Sequence, residues 1–236
     1  MAQIGYDTKR GNWIIGGAFL YGTNYSDYAL GSGSGKTAGL AFYGAKQFND
    51  GRYLDIIAKG NRLKNDFTVH NSLGTSLSGD YRNTGASLSL EYGKRIKRNN
   101  GFYIDPSAEL IFSRLSGESF DARTNTGSTV HINSDAVNSA IGRLGIGIGK
   151  EAKNSNVFLK AALAHEFSGK MKATYSMVGE PTTNSVVDLK DTWLDLELGG
   201  SWSFRPNTYL YGTFTKNFGS TVDTSYRVDA GIRHNF

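Results

Sequence analysis

Apolar and polar residues alternate along this chain in segments of about 7 to 16 residues, the period of a strand with two different faces. The spacing predicts strands near 2–8, 12–24, 36–48, 52–66, 80–95, 101–116, 136–151, 156–169, 190–204, 208–219 and 225–236. In 190–204, Leu194, Leu196, Leu198, Gly200, Trp202 and Phe204 share one face, opposite Asp195, Glu197, Gly199, Ser201 and Ser203. In the last segment, Tyr226, Val228, Ala230, Ile232, His234 and Phe236 oppose Arg227, Asp229, Gly231, Arg233 and Asn235. No segment carries a helical stripe. Globular strands average about 5–6 residues, whereas a tilted membrane strand needs about 9–11 across the apolar layer. These are of the longer kind.

The connections sharpen this. Short polar turns at 9–11, 49–51, 96–100, 152–155 and 205–207 alternate with long loops at 25–35, 67–79, 117–135, 170–189 and 220–224. Outer-membrane barrels have short periplasmic turns and longer extracellular loops in strict alternation. A Greek-key sandwich has no reason to follow that rule. The expected fold is all-β: an antiparallel up-and-down transmembrane barrel of outer-membrane type. About eleven strands are present. First and last would both run toward the periplasm, and an even count needs one further upward strand before Met1.

Composition agrees. Mean hydropathy is −0.38, but barrel strands average out in a sliding window. The 30 Gly, 26 aromatic Tyr and Phe and only 3 Pro suit a bent, closely approached sheet. With no Cys, disulfide frameworks, thiolate nucleophiles and Cys-based zinc sites fall away. The net charge of +5 is interspersed, and nucleic-acid footprints concentrate their charge, so no nucleic-acid partner is expected. The tightest basic cluster, Lys94, Arg95, Lys97 and Arg98, suits an interfacial turn. The N-terminus has no apolar signal-peptide core, so the chain is expected to be a fragment or a processed product.

Two motifs tempt and fail. GSGSGKT at 31–37 needs Gly where Leu30 stands, and a strand pattern follows instead of a helix; a flexible extracellular loop is expected there. His165-Glu166 would need a second His where Gly169 stands. His70, His131, His165 and His234 are scattered, so no metal, cofactor or catalytic residue is assigned. Aromatics near strand ends, among them Trp13, Tyr21, Tyr53, Tyr103, Trp193, Trp202, Phe204, Tyr209 and Phe236, are expected in interfacial girdles. The opposite parity puts Asp55, Lys59, Glu91, Arg95, Asp105, Glu109, Arg143, Lys160, Glu166, Asp195, Glu197, Arg227, Asp229 and Arg233 on the lumen face. They would either pair with one another to fill a narrow barrel or form a polar conduit for a segment inside it. The two are compatible.

The chain ends DAGIRHNF. Asp229, Gly231 and Phe236 resemble the C-terminal assembly signal of outer-membrane barrels, while His234 departs from its usual aromatic. The segment from Gly11 to Leu63 is similar to the early hairpins of the autotransporter β-domain of type V secretion. IDPSAELIFSRLSGESF, GRLGIGIGKEA, AALAHEFSG, TWLDLELGGSWSF and AGIRHNF resemble later segments of that family, in order and over essentially the whole chain. The resemblance implies a 12-strand translocator barrel spanning 1–236, with the first strand, the pore helix and the upstream passenger missing. It implies no enzyme. Some members cleave their passenger near the pore helix, but that segment has no counterpart here. The implied partners are outer-membrane lipid, the barrel-assembly machinery and periplasmic chaperones, with an outer-membrane location in a Gram-negative bacterium. A barrel one strand short is expected to be unstable, or to close by irregular first-to-last pairing. The other classes are a self-contained pore or surface hydrolase barrel and a soluble β-barrel binder.

Overall fold

The computed structural model describes residues 1–221 and 225–235. In chain order the strands are β1 Ala2–Arg10, β2 Trp13–Tyr28, β3 Gly31–Gln47, β4 Arg52–His70, β5 Ser76–Lys94, β6 Ile96–Lys97, β7 Phe102–Leu115 and β8 Glu118–Thr124. They continue as β9 Thr129–Ser134, β10 Val137–Glu151, β11 Ser155–Glu166, β12 Lys170–Met177, β13 Thr183–Asp188, β14 Asp191–Arg205, β15 Thr208–Phe218 and β16 Arg227–His234. A 3-10 turn, Asn99–Gly101, precedes β7. No helix among the described residues is long and apolar enough to cross a membrane.

Eleven strands follow one another in a single antiparallel path: β1-β2-β3-β4-β5-β7-β10-β11-β14-β15-β16. Because these pairings are antiparallel and in continuous register, apart from a shift between Ser203 and Arg205 at the end of β14, one residue parity runs across the sheet. Leu54, Tyr92, Ala108, Leu144, Leu163, Leu194 and Phe218 form one such row. The next residue along β4, β5, β7 and β10 gives or continues the adjoining row: Asp55, Glu91, Glu109 and Arg143. Side-chain bonds between strands that are not neighbours put the charged row on the concave side. Lys160 on β11 reaches Glu91 on β5, and Arg233 on β16 reaches Asp7 on β1.

The apolar parity is therefore turned outward. Leu144 is 69% exposed and Leu163 is 56% exposed. Total accessible surface is 15398 Å², against about 10,400 Å² for a compact water-soluble domain of this mass. Small side chains dominate the little that is buried, such as Ala18, Ala41, Ala162 and Ala164. A sheet this long, with its apolar face outside, is stable only where something apolar covers that face.

The sheet is open between β1 and β16 among the described residues: no backbone pairing joins them. The expected irregular first-to-last pairing is absent there, and side chains span the seam instead.

The loops correct the sequence reading. Residues 25–35 and 67–79 are mostly strand: β2 runs to Tyr28, β3 begins at Gly31, β4 runs to His70 and β5 begins at Ser76. The GSGSGKT segment is no flexible loop, because Ser32 to Lys36 pair with Thr68 to Lys64 on one side and with Asp27 to Thr23 on the other. Gly31 sits at φ +155, and a Cβ there would collide with the Thr68 carbonyl. Residues 117–135 and 170–189 form the hairpins β8-β9 and β12-β13. These join through β9-β12, and β8 pairs with the start of β5. They pack over an apolar knot in which Tyr81 stacks on Phe120 at 5.0 Å, Phe67 meets both, and Ala122 and Ile132 are buried.

Candidate functional site

The concave face carries several clusters of paired polar side chains. Arg143 on β10 binds Glu109 on β7 at 2.9 Å and Asp195 on β14 at 2.8 Å. Glu109 also accepts from the Ser89 hydroxyl at 2.6 Å. Lys160 binds Glu91 at 2.6 Å. Arg95 holds Asp105 at 3.0 Å and Glu151 at 3.2 Å, and it lies over the Tyr103 ring. The Tyr53 hydroxyl donates to Asp105 at 2.9 Å. Glu166 accepts from the Ser139 hydroxyl and from the backbone amides of Ala140 and Ser168. Arg227 binds Asp229 at 2.8 Å. Asp55, Lys59 and Glu197 form no ion pair among the described residues.

At the short-turn end the face opens into a cavity of about 1020 Å³, lined in part by Tyr53, Asp55, Glu91, Arg95, Asp105, Lys160 and Glu197. Charges of both signs in a low-dielectric wall interact strongly only when their geometry is good, and most of these contacts are short. In the turn at the cavity's rim, Arg52 lies 2.6 Å from Asp50 and holds that exposed carboxyl below the usual carboxylate range.

Sequence reading missed a second pattern on the same face. Tyr43, Tyr53, Tyr103, Phe158 and Tyr211 each stand directly across from a glycine: Gly16, Gly93, Gly149, Gly199 and Gly231. Each ring occupies the space that a Cβ on its glycine would need. An aromatic lying on a neighbouring glycine covers backbone that would otherwise face the lumen. Tyr53 and Tyr103 therefore belong to the lumen and not to an interfacial girdle, and Trp193, opposite Ala164, shares that inner parity. Strand parity relative to Asp55, Asp105 and Asp195 was the signal that could have placed them. Trp202, 55% exposed, does face outward.

One constellation emerged from residues the sequence left scattered. Ser119 Oγ lies 2.9 Å from His131 Nε2, and His131 Nδ1 lies 2.8 Å from Asp121. The cross-strand register of β8 and β9 assembles it. His131 and Asp121 are more than half exposed and Ser119 is exposed too, so water competes for each bond. Among the described residues no group of His, Asp and Glu is arranged to hold a metal ion.

Among the described residues the C-terminal strand pairs with β15 alone. Asp229 lies across from Thr213, Gly231 from Tyr211 and His234 from Thr208. Phe236 lies outside the described residues.

A curled antiparallel sheet with an apolar outside, a charged inside and long hairpins at one end has known counterparts. The autotransporter beta-domain family profile matches residues 1–215. The chain belongs to the autotransporter beta-domain family. The pertactin autotransporter of Bordetella parapertussis is 29% identical over 96% of this chain. The match takes in 24% of that protein, so the chain spans about a quarter of this curated relative's length. The crystal structure of the beta domain of the Bordetella autotransporter BrkA superposes with a TM-score of 0.74 at 25% identity, covering 99% of this chain and 88% of that one. The translocator domain of the autotransporter NalP from Neisseria meningitidis shares the fold, with a TM-score of 0.80 at 15% identity over 99% of this chain and 79% of its own. An autotransporter β-domain is the outer-membrane translocator of Gram-negative bacteria. The family match assigns no catalytic role to the exposed Ser119–His131–Asp121 chain.

Proposed function

We propose that this β-domain anchors a longer protein in the outer membrane and helps to carry a covalently linked upstream passenger to the cell surface. The observation that carries the reading is the reversal of the two faces: Leu144 and Leu163 outward, Arg143, Glu109 and Asp195 inward around a polar lumen. The lumen charges are mostly paired with one another, so they fill and brace the wall while Asp55, Lys59 and Glu197 stay open to a segment passing through. The work is pore geometry and assembly, not bond chemistry.

Two further elements belong to the same proposal. A strand preceding Ala2 would complete the sheet between β1 and β16, where an open edge in lipid would leave backbone groups without partners at several kcal/mol each. The edge of β16 turned away from β15, with Asp229, Gly231 and His234 and followed in sequence by Phe236, suits recognition by strand addition at the barrel-assembly machinery, after escort by periplasmic chaperones.

A reporter domain joined upstream through a linker and the missing strand tests this. Surface protease should release the reporter from intact cells. A heat-modifiable barrel whose reporter stays protected in the periplasm would refute export. Normal insertion after depletion of the assembly machinery would refute the partner.

A further inference from the structure

Three cations stand side by side on the outer face of the sheet. Lys36 on β3 lies directly across from Lys64 on β4, and Lys64 lies directly across from Arg82 on β5. Arg62, two residues before Lys64, shares their parity and is flanked by Ala38 and Thr84. All four are exposed, and none forms an ion pair among the described residues. Like charges directly opposite on antiparallel strands repel. An anion seated over the row would relieve that repulsion, which is modest while water covers the charges.

Their height says where such an anion would sit. Lys36, Lys64 and Arg82 lie ten residues along their strands from Lys46, Leu54 and Tyr92, a register row at the short-turn end. A tilted strand crosses the apolar layer in about 9–11 residues. Between the two rows the outward residues are Phe42, Leu40, Ile56, Ala58, Leu90 and Leu88 with small neighbours and, next to the basic row, Arg62, and no carboxylate. The next outward row carries Asp66 and Asp80, and the Ser34 hydroxyl holds Asp66 at 2.9 Å and 3.0 Å. The cations thus occupy the boundary itself, with the acids beyond it.

We propose that Lys36, Lys64 and Arg82, with Arg62 beneath them, bind the phosphorylated headgroup of the outer-leaflet glycolipid. The proposal rests on the outer-membrane reading above. Acyl chains would lie along Leu40, Ala58 and Leu88, phosphates would meet the basic row, and the saccharide would reach past it toward Asp66 and Asp80. Guanidinium gives Arg82 a bidentate grip on phosphate, while the two lysines act as point charges.

The test uses the chain inserted into detergent micelles and into phosphatidylcholine vesicles. Its probes are lipid A with both phosphates, dephosphorylated lipid A and inorganic phosphate, with bound lipid read by native mass spectrometry. Selective retention of the bisphosphorylated lipid is expected. The triple variant K36Q/K64Q/R82Q should bind it about a hundredfold less tightly, from about 1 kcal/mol per basic residue near an anionic surface. K36R/K64R should retain it. A short-turn-end set, K150Q/K153Q/R205Q, should leave it unchanged. Wild-type binding by the triple variant, or equal loss in the short-turn-end set, overturns the site. Displacement by inorganic phosphate at the lipid's own concentration overturns the lipid as its occupant. Failure to enter vesicles at all overturns the membrane reading first, and this site with it.

Discussion

Arg233 on the last strand donates to Asp7 on the first at 2.7 Å, spanning a seam that no backbone pairing crosses among the described residues. Asp7 also accepts from the Tyr43 hydroxyl at 2.8 Å, so one carboxylate ties β16, β1 and β3. Arg233→Gln should lower unfolding stability by about 1 kcal/mol, as for a half-exposed pair. Asp7→Ala should cost about 2 kcal/mol, because the Tyr43 hydroxyl loses its acceptor as well. Urea midpoints in micelles check both. Equal effects would show that the seam bond contributes nothing of its own.

Gly149 leaves room for the Tyr103 ring, which is only 3% exposed. Gly149→Val should push the ring off and cost about 2 kcal/mol, the usual scale of overpacking. Combined with Tyr103→Ala, the cost of the valine should shrink, since the two changes share one contact. Strict additivity in a double-mutant cycle would rule the pairing out.

Arg143 serves two carboxylates at once, Glu109 and Asp195, whose side chains are 15% and 14% exposed. Arg143→Met leaves both facing each other across the gap. A loss of about 3 kcal/mol is expected, the low end for breaking a buried pair, because the lumen admits water. Adding Glu109→Gln and Asp195→Asn should recover part of it. A fall in stability with each further substitution would contradict that account.

Phe120 belongs to the hairpin knot and not to the main sheet. Phe120→Ala should open 118–134 to protease while the barrel remains heat-modifiable, since local units can unfold below the global free energy. Removing the stack on Tyr81 should weaken hairpin docking by about 3 kcal/mol. Coincident loss of the barrel would mean that hairpin and sheet form a single cooperative unit.

Strand parity was legible because it is local. The alternation in 190–204 needs no partner to be seen, and β14 runs from Asp191 to Arg205. The loop-length rhythm likewise located the connections, because turn residues are chosen by local backbone conformation. It misjudged 25–35 and 67–79, where strands run past the apolar layer. Their polar residues carry no burial pattern, although Ser32 and Thr68 still pair.

Sequence alone, then, determined which residues share a face, how many long strands there are and how they alternate in direction. Only the tertiary structure decided which charge meets which, because Lys160 and Glu91 are 69 residues apart and nothing local links them. It alone set Tyr103 against Gly149 and aligned Lys36, Lys64 and Arg82, since both depend on the register between strands. Register is fixed by the summed pairing of whole strands, and a shift of a single residue would turn every one of these side chains to the other face.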